Sequence, residues 1–208
     1  VEGVATMYTG GFFAGSTSTK FYLQDDTGGV QIFVPGGMNS VNVDLGDVVR
    51  VTGEIEIYRD SVEVIPGDLA RDIEIVATGE PLPEPRPVSG TELESAVGQY
   101  AVAEGTITRI EEFSFSYEVD LQDASGGTVL LYIEKDTGVT AEPLILGNRY
   151  RAVGVAELYS GQLQLKPRLQ TDIVEIIPPV VRLDMQTDNT AQPGAVLTYT
   201  VTAANYTT

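Results

Sequence analysis

The sequence predicts an all-β chain in which a five-stranded Greek-key barrel occurs twice in tandem, followed by a truncated β-strand tail. Three observations carry this. Val, Ile, Thr and Tyr are abundant, and 22 Gly and 11 Pro break the chain at short intervals, a composition of short strands joined by many turns. An ordered set of motifs returns about one domain length downstream. Strand-like runs and turn signals then follow the same order in both copies.

The repeat is explicit. Glu2-Gly3-Val4-Ala5-Thr6 returns as Glu104-Gly105-Thr106-Ile107-Thr108, and Leu23-Gln24-Asp25 with Gly28-Gly29 as Leu121-Gln122-Asp123 with Gly126-Gly127. Leu45-Gly46-Asp47 returns as Leu146-Gly147-Asn148, Val51-Thr52-Gly53 as Ala152-Val153-Gly154, Ile57-Tyr58 as Leu158-Tyr159, and Asp72-Ile73 as Asp172-Ile173. Pro66 likewise matches Pro167. The period is too long for a solenoid and fits one compact domain.

In the first copy, strands are expected near 1–9, 18–25, 29–34, 47–57, 61–65 and 72–76. Asp25 to Gly29 is a hairpin turn in which Gly supplies positive φ. Leu45-Gly46-Asp47 is a second tight turn, and Arg59-Asp60 links the last hairpin as Ser160-Gly161 does in copy two. Residues 35–42 carry Pro-Gly-Gly and no helical periodicity, so a loop is expected there. This order suits an OB-type barrel. Residues 1–78 form the first barrel and 97–178 the second. Between them, 79–96 hold a Pro-rich linker, extended and semi-rigid over 77–90, and a short helix with Thr91 and Glu94 as its capping box. From 179 to 208, runs at 180–185 and 195–203 alternate like strands around Gln192-Pro193-Gly194. The chain opens at Val1 inside a strand-like run without an initiator Met, and is read as a piece of a longer protein.

Composition excludes much chemistry. The chain has no Cys and no His, which removes Ser-His-Asp triads, cysteine nucleophiles, and His- or thiolate-based zinc sites. No nucleophile–base pair, phosphate loop or metal cluster is legible, so no catalytic residue, metal site or cofactor is assigned. Asp25, Asp26, Asp120 and Asp123 lack the spacing of a calcium loop and read as turn carboxylates. No apolar run is long enough to span a membrane as a helix. The net charge is −18, so long-range attraction to nucleic acid is ruled out and any such contact is local. Acidity of this kind is expected to keep the barrels apart.

A candidate surface comes from period-two alternation. Thr19, Phe21 and Leu23 fall on one side of their strand, and Lys20, Tyr22 and Gln24 on the other. Val30, Ile32 and Val34 look inward, leaving Gln31 and Phe33 outside. Lys20, Tyr22, Gln31 and Phe33, bordered by Tyr58 and Arg59, form the candidate ligand-binding patch, an aromatic surface on which single-stranded bases stack. The structural alternative is cross-strand packing or contact with the other barrel. In copy two the counterparts are Glu118 and Asp120, with Val129 and Leu131 in place of Gln31 and Phe33, and such an acidic, aliphatic face suits a protein contact better.

The segments 1–6, 21–29 (Phe-Tyr-Leu-Gln-Asp-Asp-Thr-Gly-Gly) and 45–53 (Leu-Gly-Asp-Val-Val-Arg-Val-Thr-Gly) resemble OB-like domains of bacterial secreted proteins. Such domains often accompany endonuclease/exonuclease/phosphatase-type catalytic domains. Residues 193–205 resemble the first strands of Ig-like repeats in bacterial surface proteins. The resemblance implies an extracellular or cell-surface multidomain parent. Within it this chain is a non-catalytic accessory module, binding single-stranded nucleic acid for a nuclease-type neighbour. The alternative is a spacer or protein–protein interaction module.

Overall fold

The computed structural model describes residues 1–12, 18–36, 41–178, 180–186 and 200–206. The first copy contributes β1 (Glu2–Phe12), β2 (Thr19–Asp25), β3 (Gly28–Val34), β4 (Val48–Val51), β5 (Glu54–Tyr58), β6 (Ser61–Ile65) and β7 (Ile73–Ala77). β1 pairs with both β2 and β4, β2 with β3, and β5 with β6, all antiparallel, while β3 and β6 run parallel. β4 and β5 are consecutive strands separated only by Thr52 and Gly53. The ring therefore closes in the order β1-β2-β3-β6-β5/β4, the five-stranded Greek-key order of an OB barrel. Ala5, Phe21, Leu23, Ile32, Val34, Val49, Val51 and Val64 fill its interior, as alternation predicts for strands closed round a core.

The second copy repeats the ring. β9 (Tyr100–Glu112), β10 (Ser116–Gln122), β11 (Thr128–Glu134), β12 (Arg149–Tyr159) and β13 (Gln162–Lys166) are joined by β14 (Ile173–Glu175). β11 meets β13 in parallel at Leu131 and Leu165, and β12 closes on β9 from Arg149 to Val155. The matched motifs are the ones that turn the chain. Gly46 and Gly147 sit at φ +86° and +87°, a region open to glycine. Their amides donate to Ala5 and Ile107 carbonyls at 3.0 and 2.9 Å. Asp72 and Asp172 each accept backbone amides of the preceding loop.

Two local expectations are corrected. Gly28 and Gly29 are strand residues and do not carry positive φ. The first hairpin is closed instead by Asp25 Oδ1, which accepts from Thr27 N, Thr27 Oγ1 and Gly28 N. The turn before β9 is a 3-10 helix, Leu93–Ala96, and Ser89 with Glu92, rather than Thr91 with Glu94, forms the side-chain contact at its start. The linker is pinned at both ends. Glu80 N donates to Gly46 O, and Arg86–Pro87 (β8) lies parallel to β9 with its guanidinium on Ser95. Of the loop expected at 35–42, residues 37–40 lie outside the described residues, and the flanks carry no regular element.

The expected separation of the barrels is also corrected, since Val1–Ile176 form one packed unit. Met7, Phe12 and Tyr22 from the first barrel pack with Val155 of the second. Local apolar and ionic contacts here outweigh a net repulsion that solvent screens. Gly29 and Gly98 meet backbone to backbone, and a Cβ on Gly29 would sit 2.0 Å from Gly98 O. Gly29→Val is expected to cost about 1–3 kcal/mol in urea unfolding, the range for overpacking. Gly28→Ala, which faces open space, should leave the midpoint nearly unchanged. Equal midpoints for the two variants would show that the close approach is not a constraint.

Residues Ile177–Thr208 form a second unit. There β15 (Val180–Gln186) and β16 (Thr200–Tyr206) pair antiparallel, Val180 opposite Tyr206. The expected turn at 192–194 lies outside the described residues.

Candidate nucleic-acid interface

The two barrels enclose a cleft of about 680 Å³. Its walls are outward-facing strand residues. β2, β3, β5 and β6 contribute Lys20, Gln31, Phe33, Glu56, Tyr58, Glu63 and Ile65, while β11, β12 and β13 contribute Tyr132, Glu134, Glu157, Tyr159, Gln162, Gln164 and Lys166. Outward positions on these strands would ordinarily face water. Here they line a cleft because each barrel turns its parallel-strand face toward the other.

The floor is a buried charge network. Glu157, 2% exposed, accepts from Lys20 Nζ at 3.2 Å and from Tyr22 Oη at 2.6 Å across the barrel boundary, and from Lys166 Nζ at 3.1 Å. Gln164 Nε2 also donates to Glu157, and Lys166 Nζ to Glu134. Burial alone pushes the Glu157 carboxyl up, but Lys166, Lys20 and the Tyr22 hydroxyl together reverse this and hold it at about 2. Burial draws Lys166 down, and Glu157 and Glu134 more than compensate, so its ammonium is held above the usual lysine range. Burial chiefly lowers Lys20, with Lys166 adding to the fall. Lys166 also lies 4.2 Å from the Phe12 ring centroid, within cation–π range.

The candidate patch is divided by this arrangement. Lys20, Gln31, Phe33 and Tyr58 come together in the cleft. Tyr22 lies beneath it, 1% exposed, with its hydroxyl 2.6 Å from both Gln31 Oε1 and Glu157 Oε1. A phenol has one proton, and the ionised carboxylate is the stronger acceptor. Gln31 is itself buried and donates to Glu63 Oε1 at 2.7 Å. Both alternatives for Tyr22 hold: it packs across strands with Met7 and Gln31 and against Phe12, and it meets Val155 and Glu157 of the other barrel. Arg59 sits 5.5 Å from the centroids of both Tyr58 and Tyr159, whose rings are 6.5 Å apart. The Arg59 carbonyl accepts from Ser160 N at 2.7 Å, so the two last hairpins of the barrels touch.

The counterparts assigned in copy two shift by one residue. Val129 and Leu131 point into the barrel core. The β10–β11 register instead sets Leu130 opposite Asp120 and Tyr132 opposite Glu118. The second hairpin loop, between Gln122 and Thr128, is longer than the first, where Asp25 pairs with Gly28. A one-residue change reverses which side chains face out. Asp120 and Glu118 are bound by Arg109, so that face carries internal ion pairs. Of the expected turn carboxylates, Asp120 is a strand residue of β10, while Asp123 accepts from Ser125, Gly127 and Gly90 as Asp25 does from its own turn.

Glu157, Gln164 and Lys166 lie on the other copy, beyond what strand alternation in the first copy can indicate. Their polar character at outward strand positions was the available signal, but nothing in one sequence says which outward positions a second barrel covers.

No family model matches the chain. Over 184 residues, 83% of the chain, the sequence is 30% identical to part of Endonuclease YhcR of Bacillus subtilis (strain 168), and the match spans only 14% of that protein's length. Among solved structures, the chain is similar to a murine DNA-binding protein bound with double-stranded DNA, at 12% identity and a TM-score of 0.43, covering 86% of this chain and 97% of that one. It is also similar to a single-stranded DNA-binding protein from Thermus aquaticus, at 12% identity and a TM-score of 0.32, covering 85% and 91%. Both structural likenesses are distant.

Proposed function

We propose that this chain is a non-catalytic tandem-OB module that binds single-stranded nucleic acid by taking bases into the cleft between its barrels. The observation that carries it is the convergence of Phe33, Tyr58, Tyr132 and Tyr159 around a floor of hydrogen-bonding side chains. Splayed bases stack on such aromatics and present their edges to polar groups. The phosphates stay outside, where a chain of net charge −18 offers them little attraction. The partial match to an endonuclease supports a role beside a nuclease-type domain. An exported, surface-located parent, with residues from 179 onward opening an Ig-like repeat, completes the proposal. The full-length sequence should then carry an export signal.

The test is a titration of labelled single-stranded DNA and RNA at low and at moderate salt. Because stacking carries the binding and the chain has a net charge of −18, repulsion of the phosphates is strongest at low salt, and binding is expected to hold or strengthen as salt screens it. Phe33→Ala and Tyr58→Ala should each weaken it about tenfold, since a base–aromatic stack contributes about 1–3 kcal/mol. The oligonucleotides should be recovered uncut.

The buried charge network favours a second use, a rigid spacer that fixes the orientation of neighbouring domains. Absence of binding at both salt concentrations would leave that role standing and end the nucleic-acid proposal.

A further inference from the structure

The cleft contains a pair of carboxylates with which its own cations form no ion pair. The β5–β6 register places Glu56 directly opposite Glu63, and both line the cleft. Like charges directly opposite on an antiparallel pair are destabilising. The ion pairs of Lys20 and Lys166 go to Glu157 and Glu134. Among the described residues no ion pair reaches Glu56 or Glu63. Glu63 is 5% exposed, and its donor is the Gln31 carboxamide. Burial chiefly raises its carboxyl; the Gln31 hydrogen bond and the charge of Lys20 act against this, and the facing Glu56 adds to the rise.

What completes such a pair is set by chemistry. No group of three or more metal-ligating side chains occurs among the described residues, so the pair lacks the ligand set of a metal site. An ionised carboxylate accepts at about four lone-pair sites and donates at none. The missing partner therefore brings N–H donors, and with Phe33 and Tyr58 alongside it also brings a flat face. We infer that the cleft selects bases by their N–H donors, taking guanine in preference to thymine or uracil. Guanine offers a ring N–H and an amino group side by side, which match the two oxygens of one carboxylate. Cytosine and adenine offer an amino group alone. Thymine and uracil offer one N–H between two carbonyls, and those carbonyls face the carboxylate lone pairs unfavourably. This selectivity rests on the nucleic-acid proposal above.

The experiment compares thymine strands of about twelve nucleotides, a length one or two OB barrels can hold, that carry one central guanine, cytosine, adenine or thymine. The guanine strand is expected to bind about tenfold more tightly than the all-thymine strand, the lower part of the range for a good bidentate base contact. Cytosine and adenine should fall between. Glu63→Gln replaces one acceptor by a donor and should bring the guanine and all-thymine affinities together. Glu56→Gln, at an exposed position, should narrow the gap and serves if the buried substitution unfolds the protein. Equal binding of all four strands, or a preference for thymine, overturns the selectivity and leaves the binding proposal intact. A preference that survives both substitutions also overturns it. If no strand binds, the underlying proposal fails, and the selectivity with it.

Discussion

Glu157→Ala is expected to destabilise the protein by about 3–5 kcal/mol, the range for removing one partner of a buried ion pair. The alanine would leave Lys20 and Lys166, 11% and 1% exposed at their side chains, as cations without the carboxylate they share. It would also release Tyr22, one of the first barrel's polar contacts with the second. Urea unfolding followed by tyrosine fluorescence is expected to change from one transition to two, because the two cores are separate clusters joined across this network. The same group sets an acid limit. Its folded-state pKa of about 2 lies below the ordinary value of 4.5. Its contribution is therefore fully present above about pH 4.5 and disappears as the pH falls toward 2. Wild-type stability should drop through that window, and the drop should be shallower in Glu157→Gln, which has no proton to take up. A single transition and an unchanged acid profile in the variants would show that the barrels are held together by other contacts.

The fold was largely legible in the sequence because the repeat records turn chemistry. Gly46 and Gly147, Asp72 and Asp172, and the hairpins at Arg59-Asp60 and Ser160-Gly161 each satisfy a local backbone demand that an OB ring makes in the same place each time. The strand alternation of the first copy was legible for the same reason. The arrangement of the two rings was not. Lys20, Tyr22, Gln31 and Phe33 do face outward, as their alternation requires, but outward here means toward Glu157, Gln164 and Lys166, about 130 positions away in the chain. A polar outward residue looks the same in sequence whether water or a second barrel meets it. The net charge pointed the wrong way because total charge governs long-range approach, whereas a buried interface depends on where individual opposite charges are placed. The shift of copy-two counterparts from Val129 and Leu131 to Leu130 and Tyr132 has a similar origin. It follows from one extra loop residue, which a motif match at both ends of the hairpin does not detect.

Arg168→Met should produce the second large loss, again about 3–5 kcal/mol. Arg168 is 2% exposed and serves three partners at once. Its Nε and Nη2 donate to the two Asp172 oxygens at 3.0 Å each, Nη1 donates to the Thr6 carbonyl of the first barrel at 2.9 Å, and Nη2 reaches Tyr100 Oη at 2.8 Å. Its Cζ also lies 4.1 Å from the Tyr100 ring centroid. Methionine can fill much of the volume but leaves the Asp172 charge without its cation and the Thr6 carbonyl without this donor. Arg168→Lys is expected to rescue little, since one ammonium cannot reproduce a planar fork aimed in three directions. The repeat supplies an internal control. Asp72, the counterpart of Asp172, is paired with Arg71, whose side chain is 75% exposed, and solvent screens that pair. Arg71→Met should therefore leave the urea midpoint nearly unchanged, although it removes the same kind of arginine–aspartate contact. The contrast isolates burial as the cause. If Arg168→Met and Arg71→Met shift the midpoint equally, or if Arg168→Lys behaves as wild type, Arg168 is not what ties the second barrel to β1.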